Sequence, residues 1–593
     1  MQSFLQYRKL GQLVRSQHGR AAEKVDGGAA GTSPHQAQLH RSLTGDEDPE
    51  KALAAEDSPT SSPDITDNNA AREAVEEPLH EEDEHGSGDS DDDHELHQYF
   101  TRLSQQRSRG TRLGHVLTGV NVRGYHDDND PTNPHNWGYA KRIWVTATIS
   151  FIGLIVGFAS SIDSAAIEQA SDEFGVSLVA ESCATGLFLI GFGVGALFAG
   201  PFSETVGRNP VYIVTLLTFM IFVMASGLAP SIGAQLTFRF LAGVFGSTPL
   251  VCAGGSLADI WSPYERIYAF PLFANAAFMG PVLGPILGGY IAQPSSQLPA
   301  PMWRWCEWIT LIISALVLSL VVLTLPETYA PMLLKWKAKH LRSVTGDDRY
   351  RAEIEVRLEP FTKRLGRALY RPFLMTIHEP IIMLVALYLT VIYIVLFTFL
   401  DGYTYIFQDI HKTSQGVTGL CFVGIIVGLC GISILVPFIG RSAKRNLQVL
   451  KEQGKGHLPP EFQLKMAMIG SPAIPISLFW MAWTSDRNIS IWSPLAASSL
   501  FGFGILCVFV SCYQYIIDSY EIYAASALAS ITLIRYLAAG GMTIVGIPFY
   551  ENLGVHYTVT ILACISVTCV PVSYIFYFYG LKIRKRSKYA PTD

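Results

Sequence analysis

The chain has 593 residues, 49% of them hydrophobic and only 16% charged, and its mean hydropathy is positive despite a long polar beginning. A composition this apolar belongs to a protein with many membrane spans and excludes a wholly soluble one. The formal charge of −6 hides two materials: residues 46–95 hold 20 Asp or Glu against Lys51 and Arg72, a charge of −18, and the remainder carries +12.

Residues 1–140 are rich in Ser, Gly, His and acid, with the run EEDEHGSGDSDDDHE at Glu81 to Glu95. Such a segment lacks the apolar surface to offset its ordering entropy, so it is expected to be a disordered acidic cytoplasmic tail. The opening MQSFLQYRKLGQLV has no apolar core before a small-residue cleavage site, so the first true span is expected to act as the insertion signal. From Ile143 onward twelve apolar segments approach the roughly 20 residues needed to cross a bilayer. The first covers 143–162 and the last 557–579. A long basic connection, residues 326–376, divides them six and six.

That division predicts five units: the tail 1–140, a six-helix bundle at 141–325, the connection at 326–376, a second bundle at 377–580 and a basic tail at 581–593. Lysine and arginine set the orientation. The connection alone has 11, and Arg441, Lys444, Arg445, Lys451 and Lys455 after span 8 lie on the same side, as does the C-terminal group from Lys582 to Lys588. Both termini are therefore expected in the cytoplasm. The sequon at Asn488 then falls outside, in a loop too short to favour glycosylation. The halves echo each other weakly. PFSETVGRNPV after span 2 and PFIGRSAKRNL after span 8 both read as a proline-bearing span end followed by a basic turn.

The nine cysteines stand singly in apolar segments, without metal-ligand spacing, and read as small hydrophobes; no metal or other cofactor is expected. No phosphate-binding loop, nucleophile elbow or paired catalytic acid is evident, so ATP-driven transport and enzyme activity are not supported. Basic residues follow the membrane surface, which leaves nucleic-acid binding without motivation.

Four sets of residues resemble the major facilitator superfamily, and within it the fungal twelve-span drug:proton antiporters. They are GPFSETVGRN at Gly200 to Asn209; Arg239 with Gly243 and Gly246 in span 4; GPVLGPILGG at Gly280 to Gly289 in span 5; and the phrases DPTNPHNW, WRWCEW, LPETYAP and IDSYEIYAASALA. The resemblance covers residues 130–580. It implies an all-α membrane protein of twelve helices in two pseudo-symmetric six-helix bundles, a monomer that exchanges protons for a small organic substrate across the bilayer. Thr205 and Asn209 depart from the family pattern, where basic residues are common.

The resemblance also distributes roles. Gly200, Glu204, Gly207 and Arg208 form a cytoplasmic latch, with a Glu204–Arg208 pair expected. Asp259 and Arg266, and in the second half Asp518 and Glu521, read as gate residues at matching span ends. Arg239 reads either as a proton-coupling residue or as an interfacial anchor. Asp163 and Glu307 are candidate proton carriers whose place at span ends favours solvated loop acids. Arg535 is the other costly intramembrane charge, grouped with them. Gly280, Pro281, Gly284, Pro285, Gly288 and Gly289 form the antiporter motif, rich in close-packing glycines and helix-bending prolines. Asn275, Phe278, Tyr388, Tyr393 and Gln514 are candidate cavity residues, with ordinary packing as the alternative.

The sequence thus reads as a proton-coupled exporter of a drug, toxin or polyamine-like compound, in the plasma membrane rather than the vacuolar one. The scarcity of acids in the spans favours hydrophobic organics. Uptake by proton symport and a non-transporting sensor are the rival readings.

Overall fold

The structure, a computed structural model, describes residues 1–29, 116–117, 120–122, 130, 132–293, 302–356, 361–453, 458–587 and 589. The acidic run 46–95 lies outside the described residues. Among the described residues, eleven helices are long and apolar enough to cross a bilayer. The last, Ala524–Arg584, has 61 residues. If straight it would run about 90 Å, three bilayer cores. Gly554, at φ 73° and ψ 170°, interrupts it. Residues 524–553 and 555–584 are therefore separate spans, and the total is twelve.

Spans 1 to 6 are Tyr139–Ala159, Leu178–Val206, Arg208–Gly227, the pair Ile232–Gly246 and Thr248–Ile260, Arg266–Ile291 and Arg304–Thr324. Spans 7 to 10 are Pro380–Tyr403, the pair Gln415–Leu420 and Val423–Glu452, Lys465–Thr484 and Trp492–Tyr520. The 524–553 and 555–584 segments are spans 11 and 12. Three short strands, Val116–Leu117, Val120–Val122 and Tyr350–Arg351, form a small sheet outside the spans, and the fold is all-α. The connection between spans 6 and 7 and both terminal helical segments share one face, the terminal face. The opposite one is the far face.

The halves meet along spans 2 and 11 and along spans 5 and 8. Glycine makes the first contact close: a Cβ on Gly186 would meet the Gly540 carbonyl oxygen at 2.8 Å, and one on Gly540 the Gly186 carbonyl at 2.6 Å. Without a hydrophobic drive between helices in lipid, such backbone approach is a main source of attraction. The glycines of span 5 work likewise. A Cβ on Gly280 would strike the Leu154 carbonyl, on Gly284 the Phe158 carbonyl at 3.0 Å, and on Gly288 the Ile162 carbonyl, so this i, i+4, i+8 stripe seats span 5 against span 1 and its far-face extension. Gly289 turns the other way, toward the Gln415 carbonyl of span 8 at 2.9 Å.

Two expectations are corrected. The first residues of the chain are not a featureless tail: Gln2–Ala29 is a helix, and its beginning packs on the helix Ala330–Thr345 of the connection. Leu10 and Val14, one turn apart, are buried, and Tyr7 sets its ring edge-on to Trp336 at 5.7 Å and against His340 at 4.3 Å. The Gln6 amide exchanges two hydrogen bonds with the Glu327 backbone, at 2.9 and 3.2 Å. A short amphipathic stripe was diluted by the acidic composition that follows it. The second correction concerns the echo between halves. Span 2 ends at Gly207, φ 107°, whereas span 8 continues as helix through RSAKRNL to Glu452. The second segment has no glycine where the first has its break, and its residues are good helix formers.

Candidate transport site

Arg239 lies on span 4 and is 1% exposed, so its guanidinium is buried in the protein and does not reach the interface. It pairs with Asp163, and its Nε lies 3.2 Å from Glu307. Its Nη1 donates to the Ala159 carbonyl at 3.0 Å, which fixes the end of span 1 against span 4. Phe188 offers its ring face at 5.6 Å. Ser226 donates to Glu307 at 2.7 Å. The two acids expected at solvated loop ends are thus buried: Asp163 sits in the 3-10 turn Ile162–Ala166 that extends span 1, and Glu307 lies in the first turn of span 6.

Beside them stands Glu181, 3% exposed, whose Oε1 accepts from the Gln235 amide at 2.8 Å. Gln235 and Arg239 are one helical turn apart on the same face of span 4. That spacing was the available signal for Gln235; Glu181 had none beyond its lone charge at a span start. Arg239 thus pairs with two carboxyls, and the third, Glu181, lies near Glu307 and is held by Gln235.

At the terminal face, Arg208 does not pair with Glu204 as expected. Its Nε lies 3.3 Å from Asp259, and its Nη1 donates to Ser203 at 2.6 Å. Glu327, from LPETYAP, completes this arrangement and was not singled out in the sequence. Its carboxylate accepts the backbone N–H groups of Arg208 at 3.0 Å and Asn209 at 3.2 Å, the open start of span 3, and those of Thr328 and Tyr329. A negative group at a helix start is favourable. Burial pushes the Glu327 carboxyl up, and the Tyr329, Arg208 and Asn209 donors and the Arg208 charge pull against it. Only glycine fits at Gly207: φ is positive, and a Cβ would lie 2.6 Å from Glu327 Oε2.

Arg266 joins the other half instead of Asp259: its Nη2 lies 2.8 Å from Asp518, which also accepts from Gln463 at 2.7 Å. Glu521 is exposed at the end of span 10 with φ 33° and is not brought into this pair. On the far face Gln415 donates to the Ala165 carbonyl at 2.6 Å, so the halves are bridged at both faces.

Between these bridges lies a narrow void with room of about 30 Å³ for water, lined by Phe278, Tyr393, Tyr536, Phe192, Phe397 and Pro281 among others. Of the five expected cavity residues, only Phe278 and Tyr393 line it. Asn275 donates across the halves to the Leu429 carbonyl at 3.0 Å, Tyr388 is buried beside Ser471 and Ser573, and Gln514 points toward the Arg266 carbonyl. Arg535 is fully buried in an aromatic cage, with Tyr393, Tyr536, Tyr513 and Phe509 centred 4.5–5.4 Å from its guanidinium. It makes no ion pair with the Arg239 group. Gly200 has open contacts near 4.0 Å, Pro285 lines a far-face cavity, and Asn488 is exposed in the far-face loop between spans 9 and 10.

The family model described as Major Facilitator Superfamily matches residues 149–543, two thirds of the chain. The chain belongs to the major facilitator superfamily. Among its relatives in the superfamily is the MFS-type transporter kojT of Aspergillus flavus, 52% identical over 485 residues, which are 81% of this chain and 85% of that protein. A transporter of the citrinin biosynthesis cluster of Monascus ruber is 36% identical, with 82% of this chain and 96% of that one covered. The proton:xylose symporter XylE shares the fold at a TM-score of 0.54 and 14% identity, over 74% of this chain and 97% of that one. The protein is thus a multi-pass membrane transporter of the superfamily, not an enzyme.

Proposed function

We propose that the protein is a proton-driven exporter of small organic compounds, working by alternating access between two six-helix halves, 141–325 and 377–580. The observation that carries the reading is the buried group in which Arg239 pairs with Asp163 and Glu307 while Glu181, bonded to Gln235, lies beside Glu307 and has no cation paired with it among the described residues. Three carboxyls hold more negative charge than one guanidinium neutralises. Burying the surplus is costly, and a bound proton removes it. Proton binding then changes how firmly spans 1, 2, 4 and 6 are held together, which links the gradient to the shape of the N-terminal half.

The aromatic void at the midplane, with Phe278, Tyr393 and Tyr536, suits a flat organic molecule better than a sugar or a polyamine. Relatives named for the citrinin and ascochitine biosynthesis clusters support a secondary metabolite as cargo. The packing of the span 5 glycines supports antiport, and the basic connection supports a cytoplasmic terminal face; the proposed protein acts as a monomer in the plasma membrane. The test is a deletion strain and an overexpression strain loaded with candidate metabolites and drugs. Export that raises resistance and stops when an uncoupler collapses the proton gradient is expected; accumulation driven by the gradient would reverse the direction, and uncoupler-insensitive efflux would refute the coupling.

A further inference from the structure

The far-face cavity contains a carboxyl outside the Arg239 group. Asp401 lies at the far-face end of span 7, where the helix passes into a π-helical segment, Thr404–Ile410. Such wider turns recur at functional sites because they re-aim side chains. Asp401 lines a cavity of about 760 Å³, open mouth included, together with Tyr405, Gln415, Thr418 and Glu168. It is 7% exposed, its Oδ2 has no hydrogen-bond partner, and among the described residues no Lys, Arg or His faces it. It packs on span 11, where a Cβ at Gly546 would meet Oδ2.

The titratable groups that face it are the phenols of Tyr405, on the π-helical segment, and Tyr550, on span 11, their rings stacked at 5.3 Å. Glu168 stands across the cavity, and Glu551 and Asp409 lie beyond Tyr405. All of these neighbours are neutral or acidic. An ionised carboxylate so placed has no cation beside it among the described residues, and its Oδ2 has no hydrogen-bond donor, to replace its lost hydration. Its opening to the cavity supplies the alternative, in which water at the far face delivers a proton to the carboxylate and leaves a neutral carboxylic acid.

We propose that Asp401 is a second proton-binding site, carried by the C-terminal half, loaded from the far-face cavity and independent of the Arg239 group. The inference rests on the reading of the chain as proton-driven, and it makes each half of the molecule responsive to far-face protons.

The test is pH-difference infrared spectroscopy on the purified full chain in lipid nanodiscs, which requires no substrate. The wild type is expected to show carbonyl absorption from buried carboxylic acids that includes, beside any contribution of the Arg239 group, a distinct band from Asp401. Asp401→Asn should lose that band with unchanged thermal melting, Asp401→Glu should keep it at a shifted frequency, and Arg239→Ala should retain it. A band of full amplitude in Asp401→Asn overturns the proposal; loss of the band in Arg239→Ala overturns its independence. Because the readout is separate from export, absence of the band beside uncoupler-sensitive efflux refutes this site alone. Its presence beside uncoupler-insensitive efflux refutes the exporter's coupling and leaves proton binding at Asp401 standing.

Discussion

Arg239 joins two carboxylates and a main-chain carbonyl inside a membrane bundle, so substitutions there separate charge from geometry. Removing one partner of a buried ion pair costs about 3–5 kcal/mol, chiefly by leaving the other charge uncompensated. Arg239→Ala is therefore expected to lower the melting temperature of the detergent-solubilised protein, and adding Asp163→Asn should recover part of the loss. Arg239→Lys restores the charge but not the planar fork that serves two acids. Its uncoupler-sensitive efflux should fall at least about tenfold at normal surface expression, a barrier change near 1.4 kcal/mol. Wild-type efflux in both single variants would remove Arg239 from the coupling.

A second residue-scale prediction concerns Asp130, which pairs with Lys337 of the connection at 2.7 Å. Burial alone would push the Asp130 carboxyl up, but hydrogen bonds from Lys337 and Thr132 and the Lys337 charge hold it below the usual carboxylate range. A depressed acid adds stability above its unfolded value and loses it as pH falls through the lower folded value. Docking of residues 330–345 should accordingly be unchanged from neutral pH down to about 4 and weaken below that. Hydrogen exchange across that range reads it, and Asp130→Asn should abolish the pH step.

At the scale of elements, the twelve spans were legible because each one comes near the length that hydrocarbon imposes, and the span 5 motif was legible because glycine and proline at that density need close neighbours. The N-terminal helix was not: Tyr7, Leu10 and Val14 form too short a stripe to stand out before an acidic run. Asp401 was missed because the apolar stretch seemed to end at Leu400, while the helix runs on to Tyr403. Substituting both Pro281 and Pro285 by alanine should straighten span 5 and impair export more than insertion, since Pro281 lines the midplane void and Pro285 the far-face cavity. Normal export from a correctly inserted variant would take flexing out of the motif's role. For the N-terminal helix, Gln6→Ala with Tyr7→Ala removes hydrogen bonds and an aromatic pair together worth about 1–3 kcal/mol. Proteolysis within residues 1–16 should rise about tenfold or more while export persists; loss of export would favour the sensor reading.

At the scale of the whole molecule, the contacts between halves decide which face opens. Sequence placed charged residues at the right span ends, but it could not choose partners, because Arg208, Arg266, Asp259 and Asp518 satisfy several pairings until the chain is folded. The structure selects Arg208 with Asp259 inside one half and Arg266 with Asp518 across the two. Only the second must break for the terminal face to open. The pair is largely buried, its side chains 11% and 16% exposed, so leaving one charge without its partner costs more than the ~1 kcal/mol of a surface pair and biases the equilibrium between the two faces. Arg266→Asp should therefore shift the molecule toward opening at the terminal face, because the new carboxylate faces Asp518 with like charge. Asp518→Arg alone should do the same, and the exchanged double variant should restore closure. Accessibility of a cysteine placed beside the pair, measured with a membrane-impermeant thiol reagent from the terminal face, distinguishes the three. Equal labelling of the single and double variants would show that glycine packing along spans 2 and 11 and spans 5 and 8, not this ion pair, holds the face shut.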